Sequence, residues 1–150
     1  MKEGLAMHTK QLDPQQLQEI IDRSSFNRWL GMRVVAVDSQ CITIKISWRE
    51  ELVSSPERQS THGGVIAALV DCCADYVIAR VIGHALPTLD LHIDYHRVAK
   101  PGDLYAKATV THLGGTLGVA EAKVFDEQDR LIASGRGMYM VAAHTGKESQ

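Results

Sequence analysis

The sequence has little of what builds a disulfide framework, a zinc site or a nucleic-acid-binding surface. Its 150 residues include 3 cysteines, an odd number without the spacing of disulfide or zinc motifs. The 16 basic residues are outnumbered by 18 acidic ones, for a net charge of -2, and we find no basic cluster of the kind that binds nucleic acid. We therefore expect no nucleic-acid partner and a reducing, cytoplasmic location.

The longest apolar stretch is too polar to span a membrane. It covers residues 63–83, GGVIAALVDCCADYVIARVIG, and is interrupted by Asp71, Asp75 and Arg80. A membrane-spanning helix needs about 20 predominantly apolar residues. The first residues, MKEGLAMHTKQLDPQQ, lack the apolar core of a signal peptide. We expect no membrane partner.

The length and the hydrophobic content of the chain predict a single domain. With 45% hydrophobic residues, a chain of this length can bury a core without disulfides or metals. We expect the domain over residues 13–142, between a flexible leader at 1–12 and a flexible tail at 143–150.

The hydrophobic periodicity predicts a long buried helix wrapped by an antiparallel β-sheet. Asp13 and Gly31 mark the start and end of one N-terminal helix, and MRVVAVDS with CITIKISW predicts a hairpin. Residues 65–82 are apolar nearly all round, which is typical of a buried helix. The fold class is therefore α+β with an extra N-terminal helix. Four strand-like segments follow the buried helix, at 88–98, 103–113, 116–126 and 130–142.

The segment LDLHIDYH, residues 89–96, is compatible with two interpretations. Its aspartates and histidines stand at every second position, so they share one face of a strand at about 6.6 Å spacing, and both residue types bind zinc. The exposed face of a half-buried strand gives the same alternation. The pattern alone leaves both open.

The clearest candidate site is a pair of glycines immediately before the buried helix. His62, Gly63 and Gly64 begin the segment THGGVIAALVDCCAD. A helix N-terminus carries unpaired N–H groups and a partial positive charge, and glycines let a ligand oxygen approach them, as an oxyanion hole requires. Asp71 lies inside the same helix, where a carboxylate is costly unless it is paired or functional. A purely structural role is compatible with the same sequence, in which the glycines form a tight turn and Asp71 hydrogen-bonds to a neighbouring strand.

The spacing of Gly63 and Asp71 has a consequence for assembly. The two residues are 8 positions apart, which is about 12 Å along a helix. An oxyanion donor and a nucleophile or base must both lie about 3 Å from one reacting carbon, so one subunit cannot supply both. We expect a two-fold dimer with two composite sites, and dimers could pair into a tetramer. Asp75, one turn after Asp71, is a second candidate, either close to Asp71 in a dry site or at its mouth in water.

These segments resemble the hotdog-fold acyl-CoA thioesterases, most closely their PaaI-like (phenylacetic acid degradation) branch. The resemblance covers roughly residues 26–142 and rests on HGGVIAALVDCCA, LDLHIDYHRVAKPGD and AKATVTHLGGTLGVAEAKVFDEQDRLIASGRGMYM. It implies hydrolysis of an acyl-CoA thioester to a free acid and CoA. It implies no metal and no cofactor apart from the coenzyme A of the substrate, so LDLHIDYH is expected to be the exposed face of a strand.

The resemblance also implies roles for individual residues. Gly63 takes the place of the oxyanion donor, with Gly64 beside it in the turn. Asp71 takes the place of the nucleophile or general base. His62 is expected to hydrogen-bond near the thioester, and Thr88 to help orient water.

Two departures from the family pattern concern substrate contacts. Relatives commonly have an asparagine where this chain has Pro56, and Ser54, Ser55 or Gln59 could take over its contact with substrate or water. Many relatives also have a basic residue where this chain has Gly115, in LGGTLG. Candidates for binding the CoA phosphates are Arg97, Lys100 and Arg58.

Two other functions are compatible with the same residues. A hotdog hydratase or dehydratase would pair a histidine with an acid, and His62 with Asp71 of the partner subunit could imitate that pair. A non-catalytic acyl-CoA binder would bind without turnover. The products separate the three functions, because only a thioesterase releases a free thiol.

Overall fold

The computed structural model describes residues 10–142. The predicted tail at 143–150 and residues 1–9 of the predicted leader lie outside the described residues. The N-terminal part contains two helices, α1 (Pro14–Ile21) and α2 (Ser25–Leu30).

The prediction of one continuous N-terminal helix is wrong because the chain leaves helical geometry at Ser24. This residue is extended, with φ -78° and ψ 119°, and its side chain accepts a hydrogen bond from the backbone N–H of Asn27. Ser24 is therefore a second N-cap in the middle of the predicted helix. Gly31 ends α2 in the left-handed conformation, as the sequence predicts.

Within residues 10–142, eight strands form two antiparallel sheets. The large sheet has six strands in the order β1-β2-β6-β7-β8-β5, and β3 pairs with β4 in a separate ribbon. The predicted hairpin and all four later strands are confirmed, whereas the ribbon lies in a segment with no predicted strands. In chain order the strands are β1 (Arg33–Val37), β2 (Cys41–Ile46), β3 (Val53–Ser55), β4 (Ser60–Thr61), β5 (Thr88–Tyr95), β6 (Leu104–Leu113), β7 (Leu117–Phe125) and β8 (Leu131–Met140).

The long helix α3 (Gly63–Ile82) packs against one face of the large sheet and contacts β2, β5, β6, β7 and β8. Its buried residues lie on most sides of the helix, which confirms the predicted buried helix. Small side chains in the middle of the sheet allow this close packing; they are Ala106, Ala108, Ala120 and Ala122. Within residues 10–142, no helix is both long and apolar enough to cross a membrane.

Among the described strands, β5 lies at the edge of the large sheet and pairs with β8 on one side only. Its outward residues are exposed, as predicted for LDLHIDYH. On the helix side, Leu91 and Ile93 pack against the core, but Leu89 and Tyr95 are 47% and 53% exposed. The core thus covers only the centre of the apolar face of β5. Its two ends are exposed because β5 lies at the edge of the sheet.

Candidate active site

The first turn of α3 holds a backbone N–H group that has no acceptor in the described part of the chain. His62 is the N-cap residue, and its Nδ1 accepts a hydrogen bond from the N–H of Gly64 at 2.8 Å. The carbonyl of Gly63 accepts a hydrogen bond from the Tyr95 hydroxyl at 2.6 Å. The N–H of Gly63 has no acceptor among the described residues and lies at the positive end of the helix dipole. It is therefore the donor that this turn leaves free.

The N-cap hydrogen bond from the Gly64 N–H to His62 requires a glycine at position 64. A Cβ at Gly64 would lie 2.9 Å from His62 Nδ1, whereas a Cβ at Gly63 would make an ordinary 3.5 Å contact with the Tyr95 ring. Because His62 Nδ1 accepts a hydrogen bond, the proton of its neutral ring is on Nε2. His62 thus shapes the turn through one nitrogen and presents a donor at the other.

The carboxylate of Asp71 is held by two hydroxyl groups from the sheet. The hydroxyl of Thr88 donates to Asp71 Oδ1 at 3.0 Å. The hydroxyl of Tyr139 lies 2.8 Å from the Asp71 carbonyl oxygen and 3.1 Å from the same Oδ1. Oδ2 of Asp71 accepts no hydrogen bond from the described residues. The structure therefore brings the predicted residues Asp71 and Thr88 together and adds Tyr139, which the sequence did not indicate.

A cleft of about 320 Å³ lies beside the start of α3. Gly63, Ile66, Tyr95 and Arg97 are among the residues that line it. The exposed Arg97 is thus close to the free N–H group. Nearby, the Lys100 ammonium donates to the Arg58 carbonyl at 3.1 Å. The candidate phosphate-binding residues therefore lie near the Gly63 end of α3, not near Asp71.

Comparison with known proteins identifies the family. Residues 59–133 match the thioesterase superfamily model. A solved structure of a protein from the thioesterase superfamily is 50% identical, covers 85% of this chain and 96% of its own, and has a TM-score of 0.83. The chain belongs to the thioesterase superfamily. The predicted hotdog fold and thioester-hydrolase class are thereby confirmed.

A sequence relative and a structural neighbour of the chain come from Escherichia coli. Medium/long-chain acyl-CoA thioesterase YigI is 26% identical over 131 residues, which are 77% of this chain and 84% of YigI. The PaaI protein from the phenylacetic acid degradation operon is 22% identical and has a TM-score of 0.74, with 85% of this chain and 94% of PaaI covered. At this identity, the similarity to PaaI shows a shared fold.

Asp75 of this thioesterase anchors a loop. Its Oδ1 accepts a hydrogen bond from the N–H of Leu86 at 2.9 Å, in the connection between α3 and β5. Burial raises the pKa of Asp75 to about 7, the Leu86 hydrogen bond opposes the rise, and the nearby charge of Asp71 adds to it. The carboxylate of this half-buried residue is thus directed at the connection between α3 and β5.

The raised pKa of Asp75 predicts a pH-dependent stability. The folded protein binds a proton at Asp75 more tightly than the unfolded chain does, so stability falls as the pH rises from about 4 through 7. We expect Asp75→Asn, which keeps an acceptor for Leu86, to raise the free energy of unfolding at pH 8 by on the order of 3 kcal/mol. At pH 4 the change should be small.

Urea unfolding at both pH values measures this difference, with Asp90→Asn as the matched control because Asp90 is exposed. An Asp75→Asn variant with an unchanged pH dependence of stability would contradict the predicted titration.

The two cysteines beside Asp71 are poor nucleophiles. Burial raises the pKa of the Cys72 thiol to about 12, and the charges of Asp71 and Asp75 add to the rise. Burial also raises the pKa of Cys73 far above its usual range. Because the thiolate is the reactive form, both side chains remain unreactive thiols that pack in the core.

The candidates in the β3–β4 ribbon hydrogen-bond within that ribbon. The Ser54 hydroxyl lies 3.1 Å from the Ser60 hydroxyl, and Ser55 donates to Glu57 Oε2 at 2.9 Å. Gln59 has a positive φ of 50° and donates through Nε2 to the Pro56 carbonyl at 2.8 Å. None of the three candidates hydrogen-bonds to Gly63 or Asp71 among the described residues.

The histidines and aspartates of LDLHIDYH make short-range polar contacts. His92 Nε2 lies 3.2 Å from Asp94 Oδ1, and His96 Nε2 lies 2.7 Å from the Ser134 hydroxyl. Over residues 10–142, no three histidine, cysteine or acidic side chains are grouped as metal ligands would be. The absence of a metal remains a prediction.

Proposed function

We propose that this protein is an acyl-CoA thioesterase that hydrolyses a CoA thioester to a free acid and coenzyme A. The observation that carries the proposal is the pair of unsatisfied groups on α3. Among residues 10–142, the Gly63 N–H has no acceptor and one carboxylate oxygen of Asp71 has no hydrogen-bond donor. Hydrolysis of a thioester needs one group of each kind.

The proposed reaction uses the two groups on opposite sides of one carbonyl. The Gly63 N–H and the α3 dipole stabilise the negative charge that develops on the thioester oxygen. Asp71 either attacks the carbonyl carbon or takes a proton from the attacking water. If Asp71 attacks, the C–S bond breaks and leaves an acyl anhydride on Asp71, which water then hydrolyses to the free acid and the regenerated carboxylate. If water attacks, the C–S bond breaks to give the free acid directly. In both routes the thiolate leaves and is protonated, and one water is consumed per acid and CoA formed. Coenzyme A is part of the substrate, and no other cofactor enters the reaction.

The site is proposed to combine two subunits. Gly63 and Asp71 of one helix are about 12 Å apart, too far for one thioester carbon. Asp71 hydrogen-bonds to Thr88, at the start of β5, and Gly63 to Tyr95, at its end. If β5 paired antiparallel with its copy, the Thr88 end of one strand would lie against the Tyr95 end of the other. Asp71 of one subunit would then approach Gly63 of the partner subunit.

Strand β5 has the features of an edge that is covered in an assembly. A long, unprotected edge strand with apolar side chains invites pairing with another chain. Leu89 and Tyr95 of β5 are 47% and 53% exposed, and Val98, three residues after the strand ends, is 61% exposed, although all three are hydrophobic. These features support a dimer through β5, and pairs of dimers would form the tetramer considered from the sequence.

Leu89→Asp should weaken the dimer by roughly 100-fold or more in its dissociation constant, because it places a charge in the proposed interface. The side chain is already half exposed in the single chain, so the subunit fold should persist. Light scattering across a concentration series measures the mass.

The matched control for Leu89→Asp is Val35→Asp on β1, at the opposite edge of the same sheet. Val35 is 48% exposed, and its substitution should leave the dimer intact. Equal dissociation in both variants, or in neither, would contradict an interface at β5.

Coenzyme A is proposed to enter at the Gly63 end of α3. Arg97 lines the cleft beside Gly63, and Lys100 with Arg58 adds positive charge nearby. These side chains suit the phosphates of the substrate, although Lys100 is at present directed at the Arg58 carbonyl. Ser54, Ser55 and Gln59 remain candidates for a substrate contact through rearrangement of the ribbon.

Free-thiol release from a panel of acyl-CoA esters tests the proposed function. The panel contains phenylacetyl-, hydroxybenzoyl-, butyryl-, hexanoyl- and decanoyl-CoA, and turnover of one or more members is expected. Binding without thiol release would favour a non-catalytic binder. A hydrated or dehydrated acyl chain on intact CoA would favour the hydratase class, which His62 supports poorly because its Nδ1 is already bonded to Gly64.

A further inference from the structure

Tyr139 occupies an unusual place for a buried tyrosine. It is 0% exposed and is among the largest fully buried side chains, yet its hydroxyl is directed at Asp71 on α3. The two residues are 68 positions apart in the chain. A buried hydroxyl needs a partner, but here both available acceptors belong to one residue, and one of them is the carboxylate.

The strand makes room for this hydroxyl. Gly137 lies two residues before Tyr139 and on the same face of β8, and a Cβ at Gly137 would overlap the hydroxyl and the edge of the tyrosine ring. Glycine in the interior of a strand is destabilising. Its presence here lets the ring lie along β8 and reach Asp71.

The hydrogen bonds select one oxygen of the carboxylate. Oδ1 accepts from Thr88 and lies within hydrogen-bond distance of Tyr139. Oδ2 accepts none from the described residues. The single proton of the Tyr139 hydroxyl is shared between the Asp71 carbonyl oxygen at 2.8 Å and Oδ1 at 3.1 Å. Because Tyr139 and Thr88 approach Oδ1 from different strands, they orient this oxygen toward the sheet and leave Oδ2 for the reacting group.

We propose that Tyr139 is a positioning residue that acts through Asp71. Gly137 contributes by having no side chain, which leaves room for the Tyr139 hydroxyl. This inference rests on the proposed function, since it assigns Oδ2 of Asp71 as the reacting oxygen. Tyr139 does not touch the substrate, because its ring is buried behind Asp71. Loss of its hydroxyl should therefore change the rate of the reacting complex more than substrate binding.

The test compares Tyr139→Phe with the wild type in free-thiol release. The kcat should fall about 10- to 100-fold, as expected for loss of a hydrogen bond to a charged group, while KM stays within about 2-fold. Tyr105→Phe is the matched control, since Tyr105 lies on the outer face of the sheet beside Lys45 and should behave as the wild type. Gly137→Ala, which displaces the hydroxyl without removing it, should reproduce the loss of kcat.

Three outcomes would overturn the proposal. One is an unchanged kcat in Tyr139→Phe, and another is a fall that appears equally in Tyr105→Phe. The third is a fall in kcat matched by a lower melting temperature and a smaller folded fraction, which would mean that Tyr139 only stabilises the fold. Asp71→Asn is assayed alongside: an active Asp71→Asn would reject the proposed site itself, whereas an inactive one with a normal Tyr139→Phe rejects the tyrosine alone.

Discussion

Replacement of Asp71 by asparagine should reduce thioester hydrolysis by about 1,000-fold or more, the largest effect expected of any single substitution. Asparagine has the same shape and retains an oxygen that can accept from Thr88 and Tyr139. It lacks the negative charge needed to attack the carbonyl or to accept a proton from water. The loss should therefore appear in kcat, while the fold and the proposed dimer remain.

The measurement for Asp71→Asn is free-thiol release with the best acyl-CoA of the panel, together with light scattering and a melting curve. Asp90→Asn is the control, because Asp90 is an exposed aspartate of β5 that is paired at 3.4 Å with Arg136. Near-normal turnover by a folded Asp71→Asn would remove Asp71 from the mechanism.

Gly63→Pro should lower kcat by about 100- to 1,000-fold, because proline deletes the backbone N–H that is proposed to bind the oxyanion. Position 63 is the first residue of α3, where proline is compatible with a helix. The preceding His62 has φ -59° and ψ 131°, the extended geometry that a following proline favours. The substitution therefore removes the donor with little strain in the backbone.

The control for Gly63→Pro is Gly63→Ala, which keeps the N–H. A Cβ at this position makes an ordinary 3.5 Å contact with Tyr95, so alanine should cost far less activity than proline. Similar activities in the two variants would show that the N–H is not the oxyanion donor.

Much of the fold could be predicted because its signals are local. The apolar run of α3 and the alternation in β6, β7 and β8 depend on residues close together in the chain. The break between α1 and α2 is not predictable from hydrophobic periodicity, because apolar residues continue at helical spacing across it. Ser24 is an N-cap residue type, but this periodicity favours a continuous helix through it.

The site was predictable only where its residues share one segment. His62, Gly63, Gly64 and Asp71 lie within ten residues of each other, and helix geometry relates them. Tyr139 and Tyr95 contact this segment from 68 and 32 positions away. Their hydroxyl groups reach Asp71 and Gly63 only through the pairing of β5 with β8 and the packing of α3 on both.

The burial of Asp75 also depended on tertiary structure. The sequence places Asp75 one turn after Asp71, but its partner is the backbone of Leu86, in a loop that returns along the helix. The path of that loop has no signature in the residues around Asp75. The contacts of Ser55 with Glu57 and of Gln59 with Pro56 are local, but they depend on a turn in which Gln59 has a positive φ that no glycine marks in the sequence.

A mixed dimer tests most directly whether each site combines Asp71 of one subunit with Gly63 of the partner subunit. Asp71→Asn and Gly63→Pro chains with different affinity tags are co-expressed, and the dimer that carries both tags is purified. One of its two sites then holds both defects and the other holds none. We predict that this dimer recovers about half of the wild-type activity, although each parent dimer is nearly inactive. A mixed dimer as inactive as its parents would contradict the composite site.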